Sequence, residues 1–124
     1  MWFEKKISLK FDEDQKQFPI EVLNMWDITE LEIIGGDFSY FPPDISILKH
    51  LKRFSLVSSK VSFIPKELFE LPSLNYLNLK NNRISELPEL VSLTNIEILI
   101  LGRNYLKEIE RILPFLPEVR TLDL

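Results

Sequence analysis

A chain of 124 residues is most simply one domain, and 45% hydrophobic residues let it bury a core. A formal net charge of −4 argues against general binding to nucleic acid or to anionic membranes, since both need a basic face. The absence of cysteine excludes disulfides and thiolate metal sites, and fits a reducing, cytoplasmic setting.

The N-terminus, "MWFEKKISLKF", carries Glu4, Lys5, Lys6 and Lys10, which interrupt any apolar run long enough for a signal peptide. No stretch approaches the roughly 18 apolar residues of a membrane span. Alternating Ile7, Leu9 and Phe11 predict a first strand, with Trp2 and Phe3 packing over its open side. "DEDQKQ", residues 12–17, predicts a solvated loop. Its acids Asp12, Glu13 and Asp14 lack the glycine and distal glutamate of a calcium loop. "FPIEVLNM" and "FPPDISILKHL" begin with proline and carry apolar residues at helical spacing, which predicts short helices.

From residue 28 onward one rhythm recurs. Ile28, Leu31, Ile33, Gly36 and Phe38 share their spacing with Leu51, Phe54, Leu56, Ser59 and Val61. Leu74, Leu77, Leu79, Asn82 and Ile84 repeat it, as do Ile96, Leu99, Leu101, Asn104 and Leu106. Val119, Leu122 and Leu124 begin a further copy. The steps are 23, 23, 22 and 23 residues, and the short step comes from "LPELVSL", one residue shorter than "IPKELFEL". Pro19, Pro42, Pro65 and Pro88 recur every 23 residues, each after a bulky apolar residue, and mark turn-back points. A fixed period of this length means coils that stack. Within each copy the alternating triplet is a strand with its leucines on one side. The asparagine stands where the chain leaves the strand, and its amide can bond backbone groups that the turn leaves unpaired. Gly36 and Ser59 replace that asparagine in two copies, which predicts looser turns there. "YLKEIERIL" has Tyr105, Leu106, Ile109, Ile112 and Leu113 on a helical stripe and predicts the most helical stretch of the chain, ending before Pro114.

These residues resemble the leucine-rich repeat family, with its pattern L-x-x-L-x-L-x-x-N-x-L, in the short 22–23-residue class. The resemblance covers residues 28–124 well and 1–27 loosely. It implies an α/β fold: a right-handed solenoid with a parallel sheet on the concave face and short helices or turns on the convex face. Residues 1–124 then form a single repeat domain. Residues 1–27 are a cap-like strand and turn, and 28–124 about five repeats, the last incomplete.

Little in the chain supports catalysis. His50 is the one histidine and sits among lysines; no phosphate-binding glycine motif occurs, and no metal-ligand set is spaced for zinc. The expectation is a non-enzymatic chain without cofactor or metal. The residues between the leucines point onto an open ledge: Glu30 and Glu32, Arg53 and Ser55, Tyr76 and Asn78, Ile98 and Ile100, Thr121 and Asp123. Ile98 and Ile100 break the polar rule for such a ledge, and an apolar patch on a solvent-facing sheet points to a partner. Isoleucine also suits any strand, so β-propensity alone is the competing account.

The resemblance implies protein binding, and the sequence supplies the patch. An unidentified protein partner is expected on the concave face, contacted by Glu32, Arg53, Tyr76, Asn78, Ile98, Ile100, Arg103 and Tyr105. No nucleic acid and no membrane is expected. The alternative is a structural unit or a fragment of a longer repeat protein. In that reading the strand from Val119 to Leu124 leaves an open edge, which a second copy can cover to make a homodimer. A regulatory subunit of an enzyme is a third reading, which the sequence does not separate from general protein binding.

Overall fold

The structure, a computed structural model, describes residues 4–91 and 94–124, so the expected packing of Trp2 and Phe3 lies outside the described residues. Six strands follow one another in chain order: β1 (Lys6–Phe11), β2 (Glu30–Gly35), β3 (Arg53–Val57), β4 (Tyr76–Asn78), β5 (Ile98–Ile100) and β6 (Thr121–Asp123). Each pairs in parallel with the next, in the sheet order β1-β2-β3-β4-β5-β6. The register places equivalent repeat residues side by side, as in Leu31 with Phe54, Phe54 with Leu77, and Leu77 with Leu99. The result is the solenoid expected from the repeat.

The repeat supplies the core in columns. Leu31, Ile33, Phe54, Leu56, Leu77, Leu79, Leu99 and Leu101 face inward from the strands with 1% exposure or less. Val22, Ile45, Leu68, Leu90 and Ile112 close the coil from its other side and are buried. Full burial of each such side chain stabilises by about 1.5–3 kcal/mol. In the N-terminal coils phenylalanines fill the interior, with Phe18 stacked 5.1 Å from Phe41 and 5.8 Å from Phe38.

The turns are tied between coils as well as within them. The asparagine amides act as expected, but they also tie one coil to the one before it. Asn82 is buried; its Oδ1 accepts from the N–H of Ser59 (3.0 Å) and of Val61 (3.2 Å), and its Nδ2 donates to the carbonyls of Leu56 (2.8 Å) and Leu79 (2.9 Å). Asn104 repeats this one coil on: it accepts from Ile84 N–H at 3.0 Å and donates to Leu79 and Leu101 at 2.9 Å each. The turn at Ser59 is therefore held by the neighbouring coil's asparagine as well as by its own hydroxyl, which donates to Val57 O.

The convex side carries the short helices and turns expected of it, and corrects the expectation for residues 105–113. The segments Ile20–Asn24, Pro43–Ile47, Ile109–Arg111 and Leu113–Phe115 are 3₁₀ turns, and the α-helical piece, α1 (Lys66–Phe69), has four residues. Residues 105–113 do not form one α-helix, and Pro114 sits inside the second 3₁₀ turn instead of ending a helix. The reason lies in the spacing itself. Leu106, Ile109, Ile112 and Phe115 recur every three residues, and all four pack on the core. A 3₁₀ turn repeats every 3.0 residues and crosses the back of a coil in fewer residues than an α-helix. Tyr105 and Leu113, counted on the helical stripe, are 63% and 40% exposed.

The first coils are joined by surface charge. Glu4 accepts from the Thr29 hydroxyl (2.9 Å) and from Lys52 (3.2 Å), Lys16 meets Asp37 at 3.0 Å, and Lys5 pairs with Asp27. Thr29 and then Lys52 hold the Glu4 carboxyl below the usual range; Lys5 does so for Asp27 and Lys16 for Asp37. A carboxyl whose pKa is lowered by folding adds stability above its unfolded pKa and loses it as pH falls through the folded one. The attachment of β1 is therefore expected to loosen below about pH 4. Glu4 is exposed and Asp27 and Asp37 are partly open to solvent, so the change is small. Hydrogen exchange, corrected for intrinsic rate, should show β1 amides losing protection at acid pH while β4 and β5 amides keep theirs. Equal loss on all three strands would remove these carboxylates as its cause.

Candidate partner-binding face

The strands present three rows on the open face of the sheet. The first runs Lys6, Glu30, Arg53, Tyr76, Ile98, Thr121, and the second Ser8, Glu32, Ser55, Asn78, Ile100, Asp123. A third begins Lys10, Ile34, Val57. Ile34 and Val57, both half-buried, are apolar outward residues that the sequence reading missed. The signal was present: strict alternation carried two residues past each Leu-x-Leu core points both outward.

The N-terminal part of this face is self-satisfied. Glu30 lies between Lys6 (3.4 Å) and Arg53 (3.8 Å). Glu32 accepts from the Ser8 hydroxyl at 3.2 Å. The Arg53 guanidinium lies 3.9 Å from the Tyr76 ring centroid, a cation–π contact that orders both side chains. Asn78 Nδ2 donates to the Tyr76 hydroxyl at 3.5 Å while its Oδ1 accepts from Lys80 N–H at 3.0 Å.

Five of the eight expected contact residues thus form one block on three adjacent strands: Arg53, Tyr76, Asn78, Ile98 and Ile100. Tyr76 stands directly beside Ile98, and Asn78 beside Ile100. Both isoleucines are half-buried. Glu32 is on β2, the strand next to the block, where it pairs with Ser55 of β3 and not with a block residue. Arg103 sits in the turn after β5 with φ 58, the left-handed region. Tyr105 lies past that turn, donates its backbone N–H to Ile84 O at 2.8 Å, and is not on the sheet.

Among the described residues there is no group of three or more His, Cys, Asp and Glu that could hold a metal ion, and no helix long and apolar enough to cross a membrane. His50 lies against Trp26, their rings 5.9 Å apart. A cleft of about 930 Å³ opens away from the sheet between residues 85–90 and 106–115, and none of the expected contact residues lines it.

Stacked coils, a one-way parallel sheet and an asparagine ladder define a solenoid repeat protein. A family model described as leucine rich repeat matches residues 49–106. Among solved structures, a leucine-rich repeat protein of Leptospira interrogans is 33% identical over 88% of this chain, with a TM-score of 0.76. An internalin of Listeria monocytogenes, 18% identical over 89% of this chain at a TM-score of 0.58, shares the fold. This chain spans 28% of the Leptospira protein and 38% of the internalin. No curated protein matches it. The chain belongs to the leucine-rich repeat family.

Proposed function

We propose that the chain is a non-catalytic interaction module that holds a protein partner on its concave sheet face. The observation that carries this reading is the pairing of β4 with β5, which sets Tyr76 beside Ile98 and Asn78 beside Ile100 on an open face. Apolar residues grouped on a solvent-facing sheet favour a partner over solvent. Arg53 holds Tyr76 in place, so less side-chain freedom is lost on binding. A cytoplasmic location, expected from the cysteine-free composition, belongs to the same proposal.

The test compares capture of proteins from lysate by the native chain and by an Ile98→Glu, Ile100→Glu variant shown by circular dichroism to keep its fold. A specific protein held by the first is expected to bind the second at least about 100-fold more weakly, because the change buries two carboxylates in an apolar contact. If both capture the same set, the ledge is not the site. If both capture mainly more of the chain itself, the second reading takes over, in which copies pair through β6. Among the described strands β6 bonds β5, and Leu122 and Leu124 are 36% and 64% exposed.

A further inference from the structure

We propose that the turn edge beside the Tyr76–Ile98–Ile100 block recognises an acidic segment of the partner protein through Lys80, Arg83 and Arg103. This rests on the concave-face reading and adds the chemistry of the partner to it.

The charges of this molecule are divided along the solenoid. Among the described residues, the ion pairs that join one coil to another lie in the first three coils: Lys5–Asp27, Lys6–Glu30, Arg53–Glu30, Lys16–Asp37, Lys52–Glu4 and Lys60–Glu13. The remaining pair, Arg111–Glu108, is local to one turn. Among the described residues Lys80, Arg83 and Arg103 form no ion pair and all three are exposed; Arg83 is near enough to Asp37 to help hold that carboxyl's pKa down, without bonding to it. Asp123 of β6 lies over Gly102 and, among the described residues, forms no ion pair.

The backbone puts the three cations on one edge. Asn81 N–H donates to Gly102 O at 2.9 Å, and Tyr105 N–H to Ile84 O at 2.8 Å, so the turns stack in the same register as the strands. Asp37, Lys60, Arg83 and Tyr105 therefore occupy one repeat position, and the sign along this column changes from acid to base. Gly35, Ser58, Asn81 and Arg103 occupy another, and all four have φ between 57 and 90. Glycine and asparagine suit that left-handed position, whereas arginine has no local reason to be there. Lys80 continues the alternation of Tyr76 and Asn78 and leaves β4 on the same face.

A peptide crossing β4 and β5 sets an aliphatic or aromatic side chain on Ile98 and Ile100 and its carboxylates on this edge. Arginine meets a carboxylate with two parallel bonds, and lysine with a mobile point charge. The net charge of −4 repels extended polyanions, so a short acidic stretch beside an apolar anchor fits better than nucleic acid.

The test is selection of phage-displayed random short peptides on the full chain, followed by fluorescence titration of the selected peptides. The variants are Lys80→Gln, Arg83→Gln, Arg103→Gln together, and Ile98→Glu, Ile100→Glu. Selected peptides should carry Asp or Glu beside an aliphatic or aromatic residue. Their affinity should fall about tenfold or more on the triple glutamine variant, and should weaken as salt is raised. Peptides that need Ile98 and Ile100 but ignore both salt and the triple variant overturn this proposal and leave the concave-face reading standing. Peptides indifferent to both variants overturn both. A selection without acidic enrichment also overturns the proposal made here.

Discussion

Replacing Asn82 with alanine is expected to cost about 4 kcal/mol, a large share of the stability available to a domain of this size. The amide answers two N–H groups, of Ser59 and Val61, and two carbonyls, of Leu56 and Leu79, from two different coils. With 5% exposure, little water can take its place. Each buried group left without a partner costs about 1–3 kcal/mol, discounted here because the turn can relax. A drop of roughly 15 °C in melting temperature should follow. Asn104→Ala is the internal comparison. It makes the same kind of bonds but is half-exposed, so water recovers part of the loss and the expected cost is about half as large. Thermal melts of the two variants check both magnitude and order. If the Asn82 variant melts within a few degrees of the parent, or the order is reversed, the ladder is not what couples the coils.

Gly35→Ala is expected to detach β1 at a cost of about 3 kcal/mol. Gly35 has φ +90, and a Cβ added there meets the carbonyl oxygen of Phe11 at 2.0 Å. That neighbour is backbone, so no side chain can rotate away. Phe11 is the last residue of β1 and pairs with Gly35 itself. The strain is relieved by letting β1 go, and the free energy that docks β1 therefore caps the loss. Gly102→Ala is the contrast: its Cβ meets Asp123 Oδ1 at 2.5 Å, the end of an exposed side chain that can move. Hydrogen exchange should show β1 unprotected in the Gly35 variant with β4 and β5 intact, and near-parental protection in the Gly102 variant. A Gly35 variant that keeps β1 protected would show that the turn after β2 can shift at little cost.

The asparagine positions were legible because the turn out of a strand always leaves backbone groups unpaired, and an amide is the side chain that can both donate and accept. Which coil each amide would serve was not legible. Asn82 holds Ser59 and Val61, residues 23 and 21 positions away, and only the stacking brings them within 3.2 Å. The candidate site divides in the same way. Ile98 and Ile100 announced themselves as apolar residues at outward positions, and Tyr76 as their neighbour one step earlier in the repeat. Ile34 and Val57 could have been found by carrying the alternation further. The Arg53 stack on Tyr76, the Glu30 bridge between Lys6 and Arg53, and the lack of an ion pair at Lys80, Arg83 and Arg103 among the described residues depend on side-chain distances, which periodicity does not contain.

The convex side shows the limit most plainly. Residues 105–113 have apolar spacings compatible with an α-helix and with 3₁₀ turns, since a step of three serves both. Local preference leans to the helix, but the coil must return to the sheet one strand spacing, about 4.8 Å, from where it left. With 22 or 23 residues per coil, that closure selects short 3₁₀ turns. By itself, then, the sequence determined the number and order of the strands, which residues face in or out, and where each coil turns, because these follow from a repeat and an alternation that any stacking must obey. Tertiary structure alone decided the path across the back, the partners of the buried amides, and which charges were neutralised. Those depend on distances between residues that only neighbouring coils bring together.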